Sequence, residues 1–114
     1  MSNESQFITL INIECVSTDD LTESDELIGR FGDLLATDFH IGQFNSSPGN
    51  KVDLNIQAIV PTGITNLNII EKDLTGDDLI GTINLTEKMS VENEVTLRND
   101  SAEYILRYIV AEGN

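Results

Sequence analysis

The chain has 114 residues, enough for one domain around one core. Its 20 acidic residues outweigh 6 basic ones, for a net charge of -14, so its surface repels nucleic-acid phosphates and, unless neutralised, anionic lipid headgroups. The lone cysteine, Cys15, excludes an intrachain disulfide, and the absence of tryptophan makes the expected core aliphatic.

Alternation of apolar and polar residues dominates from the start, the pattern of half-buried strands. In Gln6–Cys15 it places Phe7, Thr9, Ile11, Ile13 and Cys15 on one face. Glu26–Gly32 and Thr37–Gly42 are the next two predicted strands. A short amphipathic helix over "SDELIGRFGDLLATDF" is the competing reading there, interrupted by Gly29 and Gly32. Lys51–Val60 is cleaner: Val52, Leu54, Ile56, Ala58 and Val60 point one way, and Lys51, Asp53, Asn55 and Gln57 the other. Thr65–Glu71, Leu79–Leu85 and Asn93–Leu97 follow. In Ala102–Val110, the residues Ala102, Tyr104, Leu106, Tyr108 and Val110 form the inward set. Turn-forming stretches such as "NSSPGN", "PTG" and "RND" separate these runs, so the expected fold is an all-β, eight-stranded antiparallel sandwich spanning residues 1–114 as a single domain.

Two acidic segments echo one another. "DDLTESDELIG" begins at Asp19 and "KDLTGDDLIG" at Lys72, each an acidic turn running into Leu-Ile-Gly. Nine of the 20 acids lie in and beside these stretches: Asp19, Asp20, Glu23, Asp25 and Glu26, then Glu71, Asp73, Asp77 and Asp78. Carboxylates crowded together repel, and a cation relieves the repulsion. Calcium takes six to eight oxygen ligands at about 2.3–2.6 Å, several of them carboxylates. Two acidic turns whose tips meet at one end of a sandwich would supply that set. Leu27-Ile28 and Leu79-Ile80 would anchor the re-entering strands in the core, with Gly29 and Gly81 where backbones approach. An EF-hand loop fits neither turn. The reading that needs no ligand is also open, because Asp and Ser are good turn formers and acids protect exposed strands.

"IIEKDLTGDDLIGTINL" resembles the third-loop signature of the C2 domain, the calcium- and phospholipid-binding sandwich, and "CVSTDDLTESDELIGRF" is similar to that family's first loop. The resemblance covers about 35 residues by motif and is most like a divergent bacterial C2-like member. It implies a C2-like Greek key with Asp19 and Asp25 as first-loop calcium ligands and Glu71, Asp73 and Asp78 as third-loop ligands. Asp20 and Asp77 are additional metal candidates. The departures are Ser24-Asp25-Glu26-Leu27 where the family has Ser-Asp-Pro-Tyr, a second loop one residue short, and Glu71 where Asp is usual. The family's polybasic strand has no counterpart: "KVDLNIQAIV" holds only Lys51. The resemblance thus favours calcium over lipid.

Leu21 and Leu74 sit at matching places in the two turns and are candidate contacts for a partner pocket or, less readily, a membrane. His40 is the only histidine and is expected on a strand surface, and Cys15 in an apolar strand. No nucleophile–base arrangement is legible, so no catalytic residues and no enzyme are expected. "MSNESQF" has neither a basic segment nor an apolar run, so a soluble chain in the cytoplasm, or exported by an unconventional route, is expected. The function expected is a calcium-binding module whose two acidic loops form a cation site that orders a binding surface. The alternative is a structural or adaptor sandwich that meets a protein partner through a strand edge, without metal.

Overall fold

The computed structural model of the chain describes residues 5–18, 24–45, 49–73, 76–86, 91–98 and 102–113. Eight strands form: β1 (Ser5–Thr18), β2 (Ser24–Phe31), β3 (Phe39–Asn45), β4 (Lys51–Val60), β5 (Asn66–Asp73), β6 (Gly76–Asn84), β7 (Asn93–Arg98) and β8 (Ala102–Gly113). They make two four-stranded sheets, ordered β4-β1-β8-β7 and β3-β2-β5-β6, in which all paired neighbours are antiparallel. The expected all-β, eight-stranded sandwich is what the chain adopts. The helix reading of residues 24–39 fails. Residues 24–31 extend as β2, and the one helical segment described there is the single 3-10 turn Leu35–Thr37.

β1 and β8 form the spine of the first sheet, paired from Ser5–Gly113 to Thr18–Ala102. The inward faces of both sheets meet in an aliphatic core that includes Ile8, Leu10, Leu27, Leu67, Ile69, Leu97 and Leu106, all fully buried. Tyr104 and Tyr108 are buried with them, as expected of core residues. The alternation read from β4 and β8 holds. That read from β1 does not. A bulge at Leu10/Asn12 shifts the phase, so Ile8 and Leu10 point inward before it and Ile13 and Cys15 after it. The same irregularity runs into β4, where Asn55 has φ 52, a left-handed backbone that asparagine tolerates better than other side-chain-bearing residues.

The two open sides of the sandwich differ. Along the side formed by β6 and β7, Gly81 has no side chain and Leu97 of β7 occupies the space a Cβ would need. Along the side formed by β3 and β4, the inward residues Phe39, Val52, Leu54, Ile56 and Ala58 reach the core but are only partly buried. Gly29 works within one sheet instead. It pairs with Phe39 across β2 and β3, and the Phe39 ring lies over it. Both glycines thus stand at close approaches, but the groups that approach nearest are the side chains of Phe39 and Leu97 and not the backbones that were expected.

Candidate functional site

Antiparallel pairing brings the strand ends that flank both acidic segments to one end of the sandwich. β1 finishes at Thr18 and β2 starts at Ser24; β5 finishes at Asp73 and β6 starts at Gly76. β2, β5 and β6 are consecutive in their sheet. The register pairs Leu27 with Glu71 and Glu26 with Lys72, so the next step along brings the backbones of Asp25 and Asp73 level. On the other side of β5, Glu71 pairs with Asp78, Lys72 with Asp77, and Asp73 with Gly76.

Strand parity then sorts the acids by face. Glu71 follows Leu67 and Ile69 along the inward set of β5 and is half-buried at the edge of the core, with exposed Asp78 directly opposite it. Two like charges facing each other across a ladder are unfavourable, and a cation between them offsets the repulsion. Asp77 lies on the outer face. Its Oδ2 stands 3.3 Å from Lys72 Nζ and 3.9 Å from Arg30 Nη2. Arg30 in turn donates two hydrogen bonds to Asp38, at 2.6 and 2.7 Å. Those bonds hold the Asp38 carboxyl below its ordinary range and raise the Arg30 guanidinium, with desolvation opposing both shifts. Glu26 is also on this outer face, 4.0 Å from the exposed His40 ring.

Of the residues read as calcium ligands, Glu71 and Asp78 are therefore side by side on the inward face. Asp25 and Asp73 are adjacent by backbone position, and Asp77 is engaged on the opposite face. Asp19, Asp20, Leu21 and Leu74 lie outside the described residues. No group of three or more metal-ligating side chains comes together among the described residues. The echoed Leu-Ile-Gly is not equivalent in its two copies. Leu27 enters the core, but a bulge at Ile80 sends Leu79 out to solvent, 62% exposed, and puts Ile80 in the core instead. The pairing of Lys72 with Asp77 was missed in the sequence. A lysine set between two acids was its only sign.

No family model matches the sequence, and no curated protein is similar to it in sequence. Solved structures are similar in fold. A C2 domain of a plant Extended Synaptotagmin 1 matches with a TM-score of 0.60 at 7% identity, over 96% of this chain and 95% of that one. A structure described as a C2 domain matches at 0.52 and 12% identity, over 96% and 99%. The calcium-bound tandem C2 domains of Extended-Synaptotagmin 2 match at 0.54 and 16% identity, over 96% of this chain and 46% of that one. Likeness at these identities establishes the fold.

Proposed function

Because this chain has the C2 fold, we propose that it is a non-catalytic binding module whose acidic end takes up calcium. Asp19, Asp25, Glu71, Asp73 and Asp78 would hold the ion, with Asp20 as a further donor. Asp77 is a reserve ligand, because it must first leave Lys72. One observation carries the reading: the two echoed acidic segments are bounded by strand ends at one end of the sandwich, and three of those four strands, β2, β5 and β6, are consecutive in one sheet. The opposed pair Glu71–Asp78 adds to it, since it sets two of the candidate oxygen donors directly across one ladder. Calcium supplies positive charge and a demand for six to eight oxygens. The chain would supply carboxylates from both segments, and filling the site would order the two segments into one surface.

The test is thermal unfolding with and without calcium. A site occupied at about 100 times its Kd adds about 2.7 kcal/mol, which raises the melting temperature by roughly 10 °C for a domain of this size. Asp25→Asn and Asp73→Asn should each remove most of that rise. The same ionic strength as potassium chloride should not reproduce it, which separates site binding from screening of the -14 charge. An unchanged melt together with no heat on calcium titration would sink the reading and leave the metal-free adaptor.

A further inference from the structure

We propose that the open side between β3 and β4 receives an extended, basic peptide segment as an added strand on the edge of β4. The proposal does not depend on calcium. β4 ends its sheet, so every second residue turns its backbone N–H and C=O away from β1, with no strand beyond to receive them among the described residues. Edge strands are normally blunted by charge, proline or a bulge. In β4 these devices, Lys51, Asp53 and the left-handed Asn55, all fall in the first half. The second half, Ile56–Val60, reads "IQAIV" and has no charged residue and no proline. Beside it runs a groove of about 380 Å³, lined by Ile56, Ala58 and Ile59 from β4 and by Phe31, Phe39 and His40 across the gap. Ile59 is 64% exposed. The fold does not require this opening, since Leu97 packed against Gly81 closes the equivalent side.

The groove and edge together specify the occupant. Pairing with Ile56–Val60 demands an extended backbone, and the period of two sends alternate side chains of that strand into the groove. Charge decides between sources. A second copy would bring two chains of net charge -14 together. The described arginines are already committed: Arg30 to Asp38, Arg98 to Glu103 and Arg107 to Glu14. The surplus acid favours a partner that brings cations, and exposed Asp53 on the same strand favours them on the side chains that point away from the groove. The ligand class is a peptide alternating apolar with basic residues.

The probe is a fluorescein-labelled seven-residue peptide alternating lysine and valine, compared with a peptide of the same composition in which the lysines and valines form two blocks. At near-physiological salt, which screens plain charge attraction, the alternating peptide should bind at least about tenfold more tightly, a difference of about 1.4 kcal/mol. The backbone-amide NMR shifts it induces in the protein should centre on Ile56–Val60 and Phe39–His40. Ala58→Trp leaves the charge unchanged and fills the groove, so it should abolish the preference. Ile59→Ser, at an exposed site, should weaken binding without altering the melting temperature. Equal binding of the two peptides, or shifts confined to residues 24–26 and 71–78, would mean charge attraction alone and overturn the proposal. Concentration-dependent dimerisation abolished by Ala58→Trp would overturn it too, in favour of a second copy.

Discussion

At Arg30 the guanidinium holds Asp38 by two parallel hydrogen bonds and also reaches toward Asp77, so one side chain ties the segment after the 3-10 turn to the start of β6. The pH dependence follows from the direction of the Asp38 shift. Its carboxyl is more acidic when folded than its ordinary value of 3.8, because Arg30 favours the ionised form. The stability this adds is complete above that ordinary value and is lost as the pH falls through the lowered one. Comparing urea unfolding midpoints of the wild type and Arg30→Met across pH should show a gap that is constant from neutral pH down to the ordinary carboxylate range and closes below it. A gap that widened in acid would contradict the assignment. The contact joins residues eight apart across a turn, and nothing in "GRFGDLLATDF" marks Asp38 rather than Asp33 as the partner.

At the scale of the strands, Gly81 and Leu97 form the closure between β6 and β7. A methyl at position 81 would overlap the Leu97 side chain, so one of the two strands must move. Gly81→Ala should therefore cost about 1–3 kcal/mol by overpacking. In a Leu97→Ala background the added cost should shrink or vanish, a coupling that a double-mutant cycle measures. Equal costs in both backgrounds would place the strain elsewhere. The strands also mark how far alternation can be read. β4 and β8 keep one phase along the residues that pack inward, and there Val52, Leu54, Ile56, Ala58 and Val60, and Tyr104, Leu106, Tyr108 and Val110, were legible in the sequence, while the side chain of Ala102 lies outside the described residues. β1 is irregular at Leu10/Asn12 and at Cys15/Ser17 and β6 at Ile80, and about the first and last of these the sequence misassigns Phe7, Thr9, Ile11 and Leu79 to the core side. A bulge is set by the count of residues on the partner strand, and the local run of side chains does not record it. The surroundings of the candidate site were legible only in part. The echoed turns told which strand ends belong together, whereas the engagement of Asp77 with Lys72 followed from register alone.

For the molecule as a whole, the acids that define the candidate site and the groove beside β4 occupy separate surfaces, one at the ends of β2, β5 and β6 and the other along an edge. The pairing of Ser5 with Gly113 has a consequence for the whole chain. The first and last strands lie side by side in the middle of one sheet, at the end of the sandwich away from the acidic segments. Linking Gly113 to Ser5 and opening the chain at Gly63, an exposed position in the connection between β4 and β5, changes the order of the strands but breaks no strand pairing. Such a circular permutant should fold to the same pair of sheets, melt within about 10 °C of the parent, and keep whatever response to calcium the parent has. The fold would then depend on which strands pair and not on the order in which they are linked.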